Sequence, residues 1–274
     1  MNVINSILNF LLGLPFLPFQ WMNPWVGLVV VSLASGILLI WLFKMTSNQK
    51  AISRAKNLLN GYMLEIRLFK DDPGIVFAAF GRVLWSNIIY MRYAITPMLF
   101  MLLPVVLLLI QADMRYGVRP VEPGERILLT VALAGEMGNG PEAVALKLPA
   151  QVKIAAGPVR VASGNEISWE LEVSEKGNYA IGIDAGGGRL AVPLKADGIA
   201  PAVGRVMTAG SVIDRLMNPA YPAPPGDSGV KRIEVGYPAR EMKAAGITVH
   251  WLITFFAVSV IFGLSVKGLF GVEI

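Results

Sequence analysis

The sequence predicts an α-helical membrane protein with three transmembrane helices and a cytoplasmic helical hairpin, carrying an all-β, immunoglobulin-like domain outside the membrane. Three observations predict this. Uncharged apolar runs occur near residues 25–43, 94–112 and 247–266. The excess positive charge falls in one short segment. Beyond residue 120 the apolar pattern changes from helical to alternating.

The first span is expected from Trp25 to Phe43, with Trp25 and Trp41 at its ends. About 20 residues at 1.5 Å each cross the hydrocarbon core. Ser32, Ser35 and Gly36 share one face, where small side chains let a second helix approach. The second span, Ala94 to Ala112, contains Pro97 and Pro104. Membrane helices tolerate proline where neighbours satisfy the freed carbonyls. The third, Ile247 to Val266, opens with His250 and Trp251, read as an interfacial pair. Residues 1–23 carry Pro15, Pro18 and Trp21 but no Lys or Arg. They lack the basic region of a cleaved signal and read as an interfacial segment.

Only 16% of the 274 residues are charged, and the net charge is +5. Between Lys44 and Arg92 eight basic residues face three acidic ones, whereas residues 113–243 hold fifteen of each sign. Basic residues in short loops stay cytoplasmic, and a loop of about fifty residues is short enough to count. This puts residues 44–93 inside, the N-terminus outside, residues 113–246 outside and the C-terminus inside. The charge is a topology signal, so no specific nucleic-acid partner is expected.

Within the basic loop, Ile52, Ala55, Leu59, Tyr62, Ile66 and Phe69 recur at spacings of three and four. Asp72 is a good N-cap and Pro73 a good first helical residue. A second helix follows, presenting Val76, Phe80, Val83 or Leu84, Ile88 and Met91, and runs into span two. The pair forms an antiparallel hairpin over 46–93, too short to be stable alone in water. It must pack on itself, on membrane lipids or on a partner.

From Arg119-Pro120 onward, strands are expected at 127–133, 144–148, 152–155, 167–173, 179–183, 190–194 and 232–237. Gly, Pro and Asn punctuate them, as in a sandwich. Residues 168–181 resemble consecutive strands of immunoglobulin-like domains, without cysteines to form their disulfide. Residues 217–229, with four prolines, read as a loop. The organisation is therefore 1–23, interfacial; 24–112, two spans and the hairpin; 113–246, the outer β domain; and 247–274, the third span and a short tail.

Catalytic chemistry is sparse. There are no cysteines and one histidine, which argues against thiolate catalysis and Cys or His metal sites. The glycines at 186–188 lack a Gly-Lys-Ser/Thr ending and read as a hairpin turn. Glu170 and Glu172 alternate with apolar residues and face solvent; Asp71-Asp72 reads as a helix cap. No cofactor and no enzymatic activity are expected.

The order span, basic hairpin, span, outer segment, span, with the stretch Leu64-Glu65-Ile66-Arg67-Leu68-Phe69-Lys70-Asp71-Asp72-Pro73, resembles the Oxa-type membrane protein insertase superfamily, which includes YidC. The resemblance covers residues 20–112 and span three. It implies a three-span relative in the bacterial cytoplasmic (inner) membrane. Its activity would be insertion of short or weakly hydrophobic segments through a groove open to the cytoplasm. Ser32, Ser35, Asn87, Arg92 and Thr96 would line that groove. Lys50, Arg54, Lys56, Arg67 and Lys70 would dock nascent membrane proteins or ribosomes. Many members carry a basic residue within the first span; here Trp25–Phe43 has none, and Lys44 and Arg92 are the nearest. The alternative is a non-catalytic scaffold whose hairpin and β domain dock other subunits of a membrane complex.

Overall fold

A computed structural model describes residues 13–134, 144–161, 164–185, 188–226, 228–244 and 246–272. The chain divides into two compact units, one holding residues up to Leu28 with Leu107–Trp251, the other Val29–Val106 with residues from Leu252 onward.

The helical unit is built mainly on long helices. α1 spans Pro24–Thr46, α2 Gln49–Leu68 and α3 Pro73–Ala112. α1 and α3 are long and apolar enough to cross a membrane. Both hairpin helices start on side-chain caps. Asn48 Oδ1 accepts from Ala51 N at 3.1 Å. Asp72 Oδ1 accepts from Gly74 N and Ile75 N at 2.9 and 3.2 Å, as expected of an N-cap. α3 is continuous for 40 residues through Pro97 and Pro104. At 1.5 Å per residue that is about 60 Å, twice the hydrocarbon thickness. Its first half is the second arm of the hairpin, as the sequence predicts.

The apolar helix expected as a third span begins later than predicted. Ile247–Val249 is a strand paired with Met242–Ala244, not helix. Gly246 sits at φ +84°, a turn conformation that costs glycine little. The β-branched Ile-Thr-Val run then suits a hairpin better than a helix. The apolar helix, α5, covers only Trp251–Val266, 16 residues. A shorter helix, α4 at Val212–Met217, lies in the β-rich unit behind a Ser211–Asp214 capping box. At the N-terminal end, Leu14–Phe19 forms a 3₁₀ turn. The rest of the expected interfacial segment, residues 1–12, lies outside the described residues.

Among the described residues the β-rich unit holds ten strands: β1 Arg126–Leu133, β2 Val144–Lys147, β3 Val152–Val161, β4 Glu166–Val173, β5 Asn178–Ala185, β6 Gly188–Lys195, β7 Val206–Thr208, β8 Val230–Val235, β9 Met242–Ala244 and β10 Ile247–Val249. One antiparallel sheet runs β3-β4-β1-β8-β7, a second β2-β5-β6, and β9 and β10 form a hairpin. The inner faces of the two larger sheets share one core. Leu129, Ile167, Trp169 and Leu171 from one meet Ile181, Ile183, Val192 and Leu194 from the other. β4 alternates strictly, with Ile167, Trp169, Leu171 and Val173 buried. Glu170 and Glu172 project outward to Arg126, 3.7 and 3.3 Å away. β3 is longer than the expected 152–155, extending to Val161 through two irregularities in its pairing with β4. β5 and β6 pair as far as Ala185 with Gly188; of the glycine run expected as a turn, residues 186–187 lie outside the described residues.

Three tyrosines pin the domain. Tyr179 Oη donates to Glu175 O at 2.9 Å, just before β5, a tyrosine corner. Tyr237 Oη accepts from Lys195 N at 2.9 Å, and Tyr221 Oη donates to Gly204 O at 3.0 Å. Burial pushes the Tyr237 hydroxyl well above the usual tyrosine range and Tyr221 up to about 12. Both stay neutral donors and acceptors throughout the physiological range.

The start of the domain is clamped by an ion pair. Arg119 Nη1 and Nη2 reach Glu125 Oε2 and Oε1 at 2.8 and 2.5 Å. These bonds, and one from Glu122 N, hold the Glu125 carboxyl below the ordinary carboxylate range. A depressed folded pKa gives stability that is complete above the ordinary carboxylate range and is lost as pH falls through the folded value. Thermal melts of the full chain are therefore expected to weaken below about pH 4, with Glu125→Gln flattening that acid limb. An acid limb of equal steepness in the variant would show that the pair contributes nothing.

Candidate functional site

The candidate site is in the helical unit, where apolar helices carry hydroxyls and the hairpin carries the positive charge. On α1, Ser32 and Ser35 are both buried, at 0% and 4% exposure. Ser32 and Gly36 are four residues apart, one turn of helix. α5 presents the same spacing in Ser259 and Gly263. The two helices approach closely at these residues: a Cβ built on Gly36 would sit 2.6 Å from the Ser259 carbonyl oxygen and 3.4 Å from Gly263 N. Small residues four apart on both partners give the near backbone contact typical of membrane helices. Of the two uses of this face, helix packing is the one present. Ser259 Oγ donates to Phe256 O at 3.3 Å, so the hydroxyl is satisfied within its own helix.

The other groove candidates lie on α3 and are exposed. Thr96 Oγ1 donates to Arg92 O at 2.9 Å, so these two share one side of the helix. Asn87 does not join them, because five residues at about 100° each put it about 140° from Arg92. The five candidates thus fall into a buried pair on α1, an exposed pair on α3 and a separate Asn87. Sequence reading missed Ser86 on α3 and Ser259 on α5, both buried polar positions. The signal for Ser259 was its spacing to Gly263.

The hairpin is antiparallel as expected. Arg82 Nη2 on α3 bonds Glu65 Oε1 on α2 at 2.6 Å, and its guanidinium lies 5.4 Å from the centre of the Tyr62 ring. Ile52 and Ala55 are buried, Leu59, Tyr62 and Ile66 half-buried, and Phe69 exposed. Ile52 packs with Ile40 and Phe43 of α1 and with Val272. Lys50, Arg54, Arg67 and Lys70 are exposed and Lys56 is half-buried, so the proposed docking cations are largely solvated.

The face of α3 that turns inward differs from the predicted one. Ala79 and Ser86 are buried and Val83 and Tyr90 half-buried, at spacings of four, three and four. Phe80, Leu84, Ile88 and Met91, expected on the packing face, are 51–57% exposed. On the inward face, Tyr90 packs against the cluster of Ile40, Phe43 and Ile52, while Phe80, Leu84, Ile88 and Met91 form an uncovered stripe.

Among the described residues no group of three or more His, Asp or Glu could hold a metal ion. No protein-family model matches the chain, and neither a characterised protein nor a solved structure matches it. The fold and site define a class: apolar helices long enough to cross a membrane, joined by a basic hairpin and carrying a two-sheet β domain.

Proposed function

We propose that the chain is a membrane protein insertase or membrane chaperone of the Oxa type, acting on short or weakly hydrophobic segments in a bacterial inner membrane. The observation that carries this reading is a basic helical hairpin joining two apolar helices that hold buried hydroxyls. The hairpin is cytoplasmic in this reading, and the β domain lies outside as an immunoglobulin-like sandwich with its tyrosine corner at Tyr179. α5 is the third span. Its 16 residues reach about 24 Å, less than the hydrocarbon thickness. A short span thins the bilayer around it, and thinning lowers the barrier for polar flanks of a client.

A second reading is a scaffold subunit of a larger membrane assembly. The uncovered stripe Phe80, Leu84, Ile88 and Met91 favours it, because a stable partner helix would bury those side chains. Photo-crosslinking amino acids at Ser35, Asn87 and Thr96 in intact cells separate the two. The insertase reading expects crosslinks to many newly made membrane proteins, disappearing when translation is blocked. One or two stoichiometric partners that persist without translation would sink it in favour of the scaffold.

A further inference from the structure

The β-rich unit contains a cleft of about 260 Å³ whose lining includes Arg119, Glu122, Lys176, Asp197, Ile199 and Arg240. It lies where the chain leaves α3 and where it returns toward α5. Those two stretches are zipped together: Arg119 N donates to Pro238 O and Arg240 N to Gly117 O, both at 3.0 Å. A Cβ on Gly117 would lie 3.2 Å from the indole nitrogen of Trp251, the first residue of α5. The cleft is therefore at the level where apolar helices end and an indole sits, the level of lipid headgroups.

Arg119 is paired with Glu125, but other cations here have no carboxylate against them among the described residues. Arg115 is buried, with its guanidinium 4.7 Å from the centre of the Phe16 ring and Nη1 on Gln111 O and Oε1 at 3.0 Å each. Among the described residues it meets no carboxylate. Arg240 donates from Nε to Arg115 O at 3.1 Å and to Val118 O at 3.3 Å. Its Nη2 is buried with no hydrogen-bond partner, an expensive state for a charged donor. Lys176 is exposed and forms no ion pair among the described residues. Across the same cleft stand carboxylates: Asp197, exposed, and Glu122, 3.6 Å from Arg119. Both signs thus line one small opening at headgroup height.

We propose that this cleft binds the zwitterionic phosphoethanolamine headgroup of an outer-leaflet phospholipid. Lys176 takes the phosphate, with the Arg240 guanidinium adding positive charge from the wall, and Asp197 and Glu122 accept from the primary ammonium. A quaternary choline ammonium has no N–H to donate, and a glycerol headgroup has no cation, so each leaves the carboxylates unmatched. The proposal shares with the insertase reading the assumption that the helices cross a bilayer, and is independent of any insertion activity.

The test uses the full chain in phosphatidylcholine nanodiscs doped with either phosphatidylethanolamine or phosphatidylglycerol, released for native mass spectrometry. One phosphatidylethanolamine retained per chain is expected. Lys176→Gln and Asp197→Asn, both exposed positions, are each expected to cut retention about tenfold, the worth of one charge-assisted hydrogen bond. Circular dichroism of both variants should be unchanged. Equal retention of phosphatidylglycerol, displacement by millimolar inorganic phosphate, or unaltered retention in both variants would each overturn the assignment. Displacement would mark a free-phosphate site instead. Crosslinking to newly made proteins would be unaffected by these results, so the two proposals fail separately.

Discussion

Alanine at Gly36 is expected to destabilise the helical unit more than any other single-methyl change in the chain. The new Cβ would lie 2.6 Å from the Ser259 carbonyl oxygen, a backbone atom that cannot rotate away. α1 and α5 must separate, and in lipid the loss of close packing is not offset by a hydrophobic gain elsewhere. Overpacking of this kind costs about 1–3 kcal/mol, and leucine at the same position should exceed alanine. Gly61→Ala is the matched control. It is an interior position of α2 with nothing within 4 Å of the added atom, so helix propensity alone acts and stability should rise by up to about 1 kcal/mol. Thermal melts of the full chain in detergent read both. Equal midpoints for Gly36→Ala and the parent chain would show that the crossing is not tight.

Trp169→Ala is expected to unfold the β domain or bring it close to unfolding. The indole is 4% exposed, stands opposite Leu129 and joins the core between the two sheets. Large-to-small changes of a buried aromatic cost about 3–5 kcal/mol, because the void collapses only in part. That is a large share of the stability of a domain this size. Limited proteolysis should cut within residues 126–235 of the variant under conditions that leave the parent intact. Glu170→Ala, one residue on and facing out to Arg126, should change the pattern little, since exposed ion pairs contribute about 0–1 kcal/mol. Comparable proteolysis of the two variants would contradict the assigned register of β4.

Much of this was legible in the sequence because two signals are strong in it. Alternation is a property of the strand itself, so β1, β4, β5 and β6 stand within two residues of their expected bounds. Asp72-Pro73 marks the hairpin turn because a carboxylate cap and a proline at the first helical position are local devices. Less was legible where several outcomes share one pattern. Ile247-Thr248-Val249 is apolar and β-branched, and reads equally as the start of a span or as a strand; Gly246 and its partner strand settled it. β7 and β9, three residues each, are too short to show a period. α3 is apolar around most of its circumference, so periodicity could not select Ala79 and Ser86 over Phe80 and Leu84 as its inner face.

By itself the sequence determined the division into apolar helices, a basic hairpin and an alternating β region. Each of those rests on composition and periodicity within a dozen or so neighbouring residues. Tertiary structure alone decided which face of each helix turns inward, that Gly36 meets Ser259 and Gly263, and that Arg119 and Arg240 line one cleft. Those pairings join residues more than a hundred positions apart. They are chosen by shape, close backbone approach and the satisfaction of buried donors, none of which a local pattern encodes.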